Sequence, residues 1–120
     1  MQRLRLGVYA VIGAFSLIAG SAAVIRPSLA IDRAATDPLV DHLVREQGAG
    51  FVFIGLMALW GLLRPDARRG VHLALVVFTA LFAAIHWYAF ALDQRNLVSP
   101  LVNSVPVTVL LVTMPRRQRQ

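Results

Sequence analysis

Cysteine and lysine are both absent from this 120-residue chain, and acidic residues number only six. Without cysteine there is no thiol nucleophile, no disulfide, no iron–sulfur ligation and no cysteine-based zinc site. No spacing matches a paired-acid hydrolase, a His-Glu metal box or a glycine-rich phosphate loop, and no internal repeat or low-complexity tract breaks the sequence. All 12 basic residues are arginine. Together with abundant alanine, valine and leucine, that bias points to a bacterial genome rich in G and C.

What the chain has instead is apolar length. Its hydrophobic fraction is 58% and its mean hydropathy +0.65, whereas soluble domains are about 45–50% apolar. Lipid is therefore the expected solvent. Four spans of about 20 residues each use most of the chain and leave no room for a soluble catalytic module. The net charge of +6 would suggest nucleic acid in a soluble protein. Here the arginines lie between apolar runs, where orienting the chain explains them, and nucleic acid is not an expected partner.

The runs predict an all-α, integral membrane four-helix bundle in a single domain, with spans near residues 6–25, 38–63, 71–92 and 97–114. Span one carries no formal charge and stops at Arg26-Pro27. Ser21-Ala22-Ala23 resembles a signal-cleavage site, but the apolar run exceeds the roughly 7–15 residues of a signal core and continues past it, so a retained helix is expected. Gly13, Ser16, Gly20 and Ala23 recur at helical spacing, a seam where another helix can come close. Residues 28–36 form the longest connection and suit one interfacial helical turn. Asp37-Pro38 is a helix start, with aspartate as N-cap and proline at the first position. Gly48, Gly50, Gly55 and Gly61 read as close-packing positions of span two. Pro106 lies inside span four and should kink it.

Arginine counts give the orientation. Arg3, Arg5, Arg64, Arg68, Arg69, Arg116, Arg117 and Arg119 fall on one side, and Arg26, Arg33, Arg45 and Arg95 on the other. The richer side is cytoplasmic by the positive-inside rule, which puts both termini in the cytoplasm and the protein in a bacterial inner membrane.

Ionisable groups inside a bilayer cost at least about 2.5–3.5 kcal/mol at its centre and tend to face partners. At about 1.5 Å per residue, Arg45 and Glu46 lie roughly 11–12 Å from the outer end of span two. By the same count His86 and Asn103 lie roughly 9 Å from the outer ends of spans three and four. Two readings follow. One is a pocket open to the outside, floored by Arg45, Glu46 and His86, with Trp87, Tyr88 and Asn103 near its wall. It would take a small polar or amphiphilic ligand, a lipid headgroup or a quinone head. The other is a hydrogen-bonded clasp of Arg45, Glu46, His86 and Asn103 that only fixes helix register. Trp87 and Tyr88 also suit an ordinary interfacial aromatic belt. Ser16, Ser21 and Ser104 lack an evident base and are expected to satisfy backbone carbonyls. His72 and His86, fourteen residues apart on nearly one face, have the spacing that carries two haems in b-type cytochromes. The only other histidine is His42, so axial partners would have to come from a second copy, and no cofactor is predicted.

The stretch Arg45-Glu46-Gln47-Gly48-Ala49-Gly50-Phe51-Val52-Phe53-Ile54-Gly55 resembles the Arg-x-x-Gly-x-x-Phe-x-x-x-Gly pattern of small bacterial four-span proteins of unknown function, near the DoxX-like group. The resemblance implies an inner-membrane helical bundle and no agreed activity. Those proteins often carry an arginine late in span three, where this chain has His86-Trp87. The four-span multidrug exporters are similar in size but depend on a glutamate in span one, which this chain lacks. The leading expectation is a non-enzymatic membrane protein, either an accessory subunit of a larger complex or a small-ligand or lipid binder. The alternatives are a quinone- or haem-linked oxidoreductase component and a small transporter, which would need a homo-oligomer to enclose a pore.

Overall fold

The computed structural model describes residues 2–93 and 96–114. Four helices make up nearly all of it: α1 (Gln2–Ile25), α2 (Pro38–Leu63), α3 (Arg68–Leu92) and α4 (Val98–Val112). No strand occurs among the described residues. Three of the helices, α1, α2 and α3, are long and apolar enough to cross a membrane. At 15 residues, α4 is about 22 Å long, short of the roughly 30 Å of a hydrocarbon core. Its ends explain this. Asn96 accepts a hydrogen bond from the Ser99 amide at 3.3 Å, and Met114 N bonds Leu111 O, tightening the last turn.

Helix α2 starts where aspartate and proline direct it. The Asp37 carboxylate accepts from Leu39 N and Val40 N at 3.0 and 3.4 Å, satisfying amides that have no partner within the helix. The 28–36 connection holds two short 3₁₀ turns, Pro27–Leu29 and Asp32–Ala35, rather than one turn. The second folds Ala34 onto Ala23, Val44 and Val40, so the loop closes the end of the α1/α2 pair.

The helices run up and down, and they pack unequally. The tightest seam is α1 against α2. Tyr9, Gly13, Ser16, Gly20 and Ala23 are the buried residues of α1, and they meet an α2 face that includes Gly48, Gly55, Ala58 and Gly61. Where the two backbones come closest, a Cβ on Gly20 would lie 2.7 Å from Gly48 O and 2.8 Å from Val52 N. Only hydrogen fits there. Gly50 does not belong to the seam: a Cβ there would meet nothing within 4 Å, because it points away from α1. The main apolar core, Tyr9, Ile54, Ala58, Val71, Leu75 and Leu110, draws on all four helices in the half that holds the start of α1 and the end of α4. Elsewhere the α1/α4 and α2/α3 seams open into outward grooves.

Candidate functional site

The residues expected to form one polar layer separate into two groups. Arg45 donates to the Asp41 carboxylate at 2.8 and 3.2 Å and to the carbonyl oxygen of Val24. It therefore closes the C-terminal end of α1, where carbonyls lack partners of their own. Glu46 is exposed and pairs with His42 one turn back, at 3.3 Å. On the other helix pair, His86 Nδ1 lies 2.9 Å from Ser99 Oγ, and Asn103 donates to Ser99 O at 2.8 Å. Trp87 Nε1 donates to Ser104 Oγ at 2.9 Å, and that hydroxyl donates to Pro100 O. Tyr88 is exposed. The single clasp of Arg45, Glu46, His86 and Asn103 is thus not formed: Arg45 ties α1 to α2, and His86 ties α3 to α4. The reason is azimuth. Glu46 lies about 200° round the helix from both Val44 and Gly48, the residues that α2 buries.

The deepest polar cluster sits at the opposite end, beside the start of α1 and the end of α4. His72 is fully buried, with Nδ1 2.8 Å from Tyr9 Oη and Nε2 2.8 Å from Leu110 O. A carbonyl only accepts, so Nε2 carries hydrogen and donates to Leu110 O. In the neutral ring Nδ1 then accepts from the tyrosine hydroxyl. One imidazole thereby joins α1, α3 and α4. Around it, Arg5 donates to Thr113 O at 2.9 Å, and Arg68 donates to Gly61 O and Leu62 O at 2.9 and 3.2 Å. With Arg45, these contacts close the C-terminal ends of α1, α2 and α4 with side chains from other helices. His72 and His86 do share the face toward α4, but both nitrogens of His72 are engaged within the protein, so an axial ligand would have to displace a bond.

Between the two ends the helix pairs leave a cavity of about 180 Å³. Ile12 and Phe15 of α1, Phe51 and Ile54 of α2, Phe78 and Phe82 of α3, and Pro106 of α4 give it an apolar wall, broken by Ser16, Thr79 and Asn103. The aromatic rings are ordered against one another. Phe78 and Phe82 stack at 6.0 Å, Phe51 meets both edge-on, and His86 meets Phe82 edge-on at 4.9 Å. An apolar cavity of about 150 Å³ is enough to bind benzene, so this one suits a ring or the end of a chain. Of the polar layer anticipated from the sequence, Asn103 lines the cavity and His86 touches its wall through Phe82, whereas Arg45 and Glu46 stand outside it.

A family model for a domain of unknown function, DUF4345, matches residues 5–112. The chain belongs to the DUF4345 family. No curated protein and no solved structure matches it. The matched DUF4345 region takes in Arg5, Tyr9, His72, Leu110 and every residue of the cavity wall. Tyr9 and Thr79 are not among the residues that the sequence singles out, and His72 reads there as a haem candidate or as an interfacial residue beside the cytoplasmic turn. For Tyr9 a signal existed: it begins the same stripe as Gly13, Ser16, Gly20 and Ala23. One of the two partners of His72, the Leu110 carbonyl, leaves no trace in residue type.

Proposed function

We propose that this DUF4345 protein is a non-enzymatic integral protein of the bacterial inner membrane, with both termini in the cytoplasm, that holds the apolar body of a small amphiphile between its two helix pairs. The observation that carries the ligand reading is the aromatic-walled cavity with Ser16, Thr79 and Asn103 in its lining. Membrane residence is supported by the length and composition of α1, α2 and α3 and by apolar outward faces, among them Val11, Phe15, Ile18, Phe53, Leu56, Leu73, Val77 and Leu81. A soluble monomer rarely exposes contiguous apolar patches beyond a few hundred Å². In this reading α4 is a fourth, short span, and kinship with the DoxX-like group rests on the Arg45–Gly55 stretch.

The test uses decylubiquinone, a quinone ring on an alkyl tail, with purified protein in detergent. Thermal unfolding is read through Trp60 and Trp87. A ligand that binds only the folded state at 100 times its Kd adds about 2.7 kcal/mol, so the midpoint should rise by at least about 4 °C. In the Thr79→Phe variant a ring fills the cavity. The lost hydroxyl bonds only carbonyls of its own helix, Leu75 O and Val76 O, so no group on another helix is orphaned. That variant should fold and show no rise. An equal rise in both proteins would place the ligand elsewhere and refute the assignment.

A further inference from the structure

The outward groove between α1 and α4 has a volume of about 490 Å³ and is lined by Arg3, Leu4, Gly7, Val8, Val11, Ile12, Val105, Pro106 and Val109. One charged residue stands at its end and everything else is apolar. The groove exists because little fills it from either side: Gly7 has no side chain, and a Cβ there would meet nothing within 4 Å. From Arg3 to Ile12 the groove runs about 13–14 Å along α1, close to one leaflet of a roughly 30 Å hydrocarbon core. Ile12 and Pro106 belong both to this groove and to the central cavity, so the groove lies on the lateral approach to the cavity.

Arg3 is not tied to the protein as Arg5, Arg68 and Arg64 are. Arg5 is held by Thr113 O, Arg68 by Gly61 O and Leu62 O, and Arg64 stands 3.9 Å from Asp66. Arg3 makes no side-chain hydrogen bond or ion pair among the described residues, and no acid lines the groove. A cation at the mouth of a leaflet-long apolar slot is complementary to a phosphate carrying acyl chains. We propose that the α1/α4 groove is a binding site for one anionic phospholipid of the cytoplasmic leaflet, with its phosphate on Arg3 and an acyl chain reaching Ile12 and Pro106. The site rests on the membrane reading above but not on the occupant of the central cavity.

The experiment is native mass spectrometry of the full chain released from micelles doped with palmitoyl-oleoyl phosphatidylglycerol or with phosphatidylcholine of the same chains. The wild type should retain one phosphatidylglycerol with a preference of about fivefold over phosphatidylcholine, the share expected of one arginine near the surface. Arg3→Gln should bring the preference to about one. Gly7→Leu, whose Cβ would meet nothing within 4 Å, should fill the groove and lose both lipids. Gly50→Leu plugs the α2/α3 groove at an equally open glycine and should retain phosphatidylglycerol as the wild type does. Thr79→Phe should also retain it, so the cavity and the groove fail separately. Equal retention of the two lipids by the wild type, or equal loss in Gly7→Leu and Gly50→Leu, overturns the proposal.

Discussion

Gly48→Leu should destroy the pairing of α1 with α2 and cost at least about 3 kcal/mol, the upper end of what overpacking a filled core costs. A Cβ on Gly48 would lie 2.8 Å from Gly20 O, 2.9 Å from Ala23 Cβ and 3.0 Å from Val24 N. Two of those three atoms are backbone, so no rotamer change relieves the contact, and the helices must separate along their tightest seam. Loss of close approach also removes packing that is the main source of helix association in lipid. The control is Gly50→Leu, two residues on, where nothing lies within 4 Å and the change should stay within about 0.5 kcal/mol. Unfolding of purified protein in mixed micelles, followed by helical circular dichroism, checks both. If the two substitutions have equal effects, the seam is not where the bundle is held.

The second large effect is expected at the buried imidazole. His72→Leu removes the donor to Leu110 O and the acceptor for the Tyr9 hydroxyl, and should cost about 2–4 kcal/mol. Each stranded buried polar group accounts for about 1–3 kcal/mol of that. Tyr9→Phe should cost less, about 1 kcal/mol, because the ring stays and one hydrogen bond is lost. The tyrosine hydroxyl has a weaker alternative in Arg68 O at 3.4 Å, which softens the histidine substitution. In a double-mutant cycle the two changes should be less than additive by about 1 kcal/mol, the signature of residues in one network. Strict additivity would mean that the 2.8 Å contact contributes nothing.

These two sites also show what residue order conveys. The α1 seam is legible because small residues repeat at helical intervals and a helix buries one stripe, and the start of α2 because Asp37-Pro38 states a capping chemistry. The polar layer is harder. Counting residues gives depth along a helix, and depth alone brought Glu46 and His86 to similar heights on different sides. The azimuth that separates them was available in part, since Glu46 is out of phase with Val44 and Gly48. The terminal cluster was less accessible, because His72 and Arg5 bond backbone carbonyls of α4, and Arg68 those of α2. Such partners carry no residue identity. The same contacts bear on the arginine count, since Arg5 and Arg68 hold helix ends as well as contributing to the charge difference across the bundle.

The claim on which everything else depends is that lipid surrounds the outward faces of these helices and that both termini face the cytoplasm. A chain without cysteine permits a direct measurement: single cysteines labelled with a membrane-impermeant maleimide in intact cells. Asp32→Cys should be labelled from outside, and Asp66→Cys only after the membrane is breached. Phe53→Cys and Val77→Cys, on exposed apolar faces, should resist until detergent is added. Labelling of Val77→Cys or Asp66→Cys in unbroken cells would contradict the account.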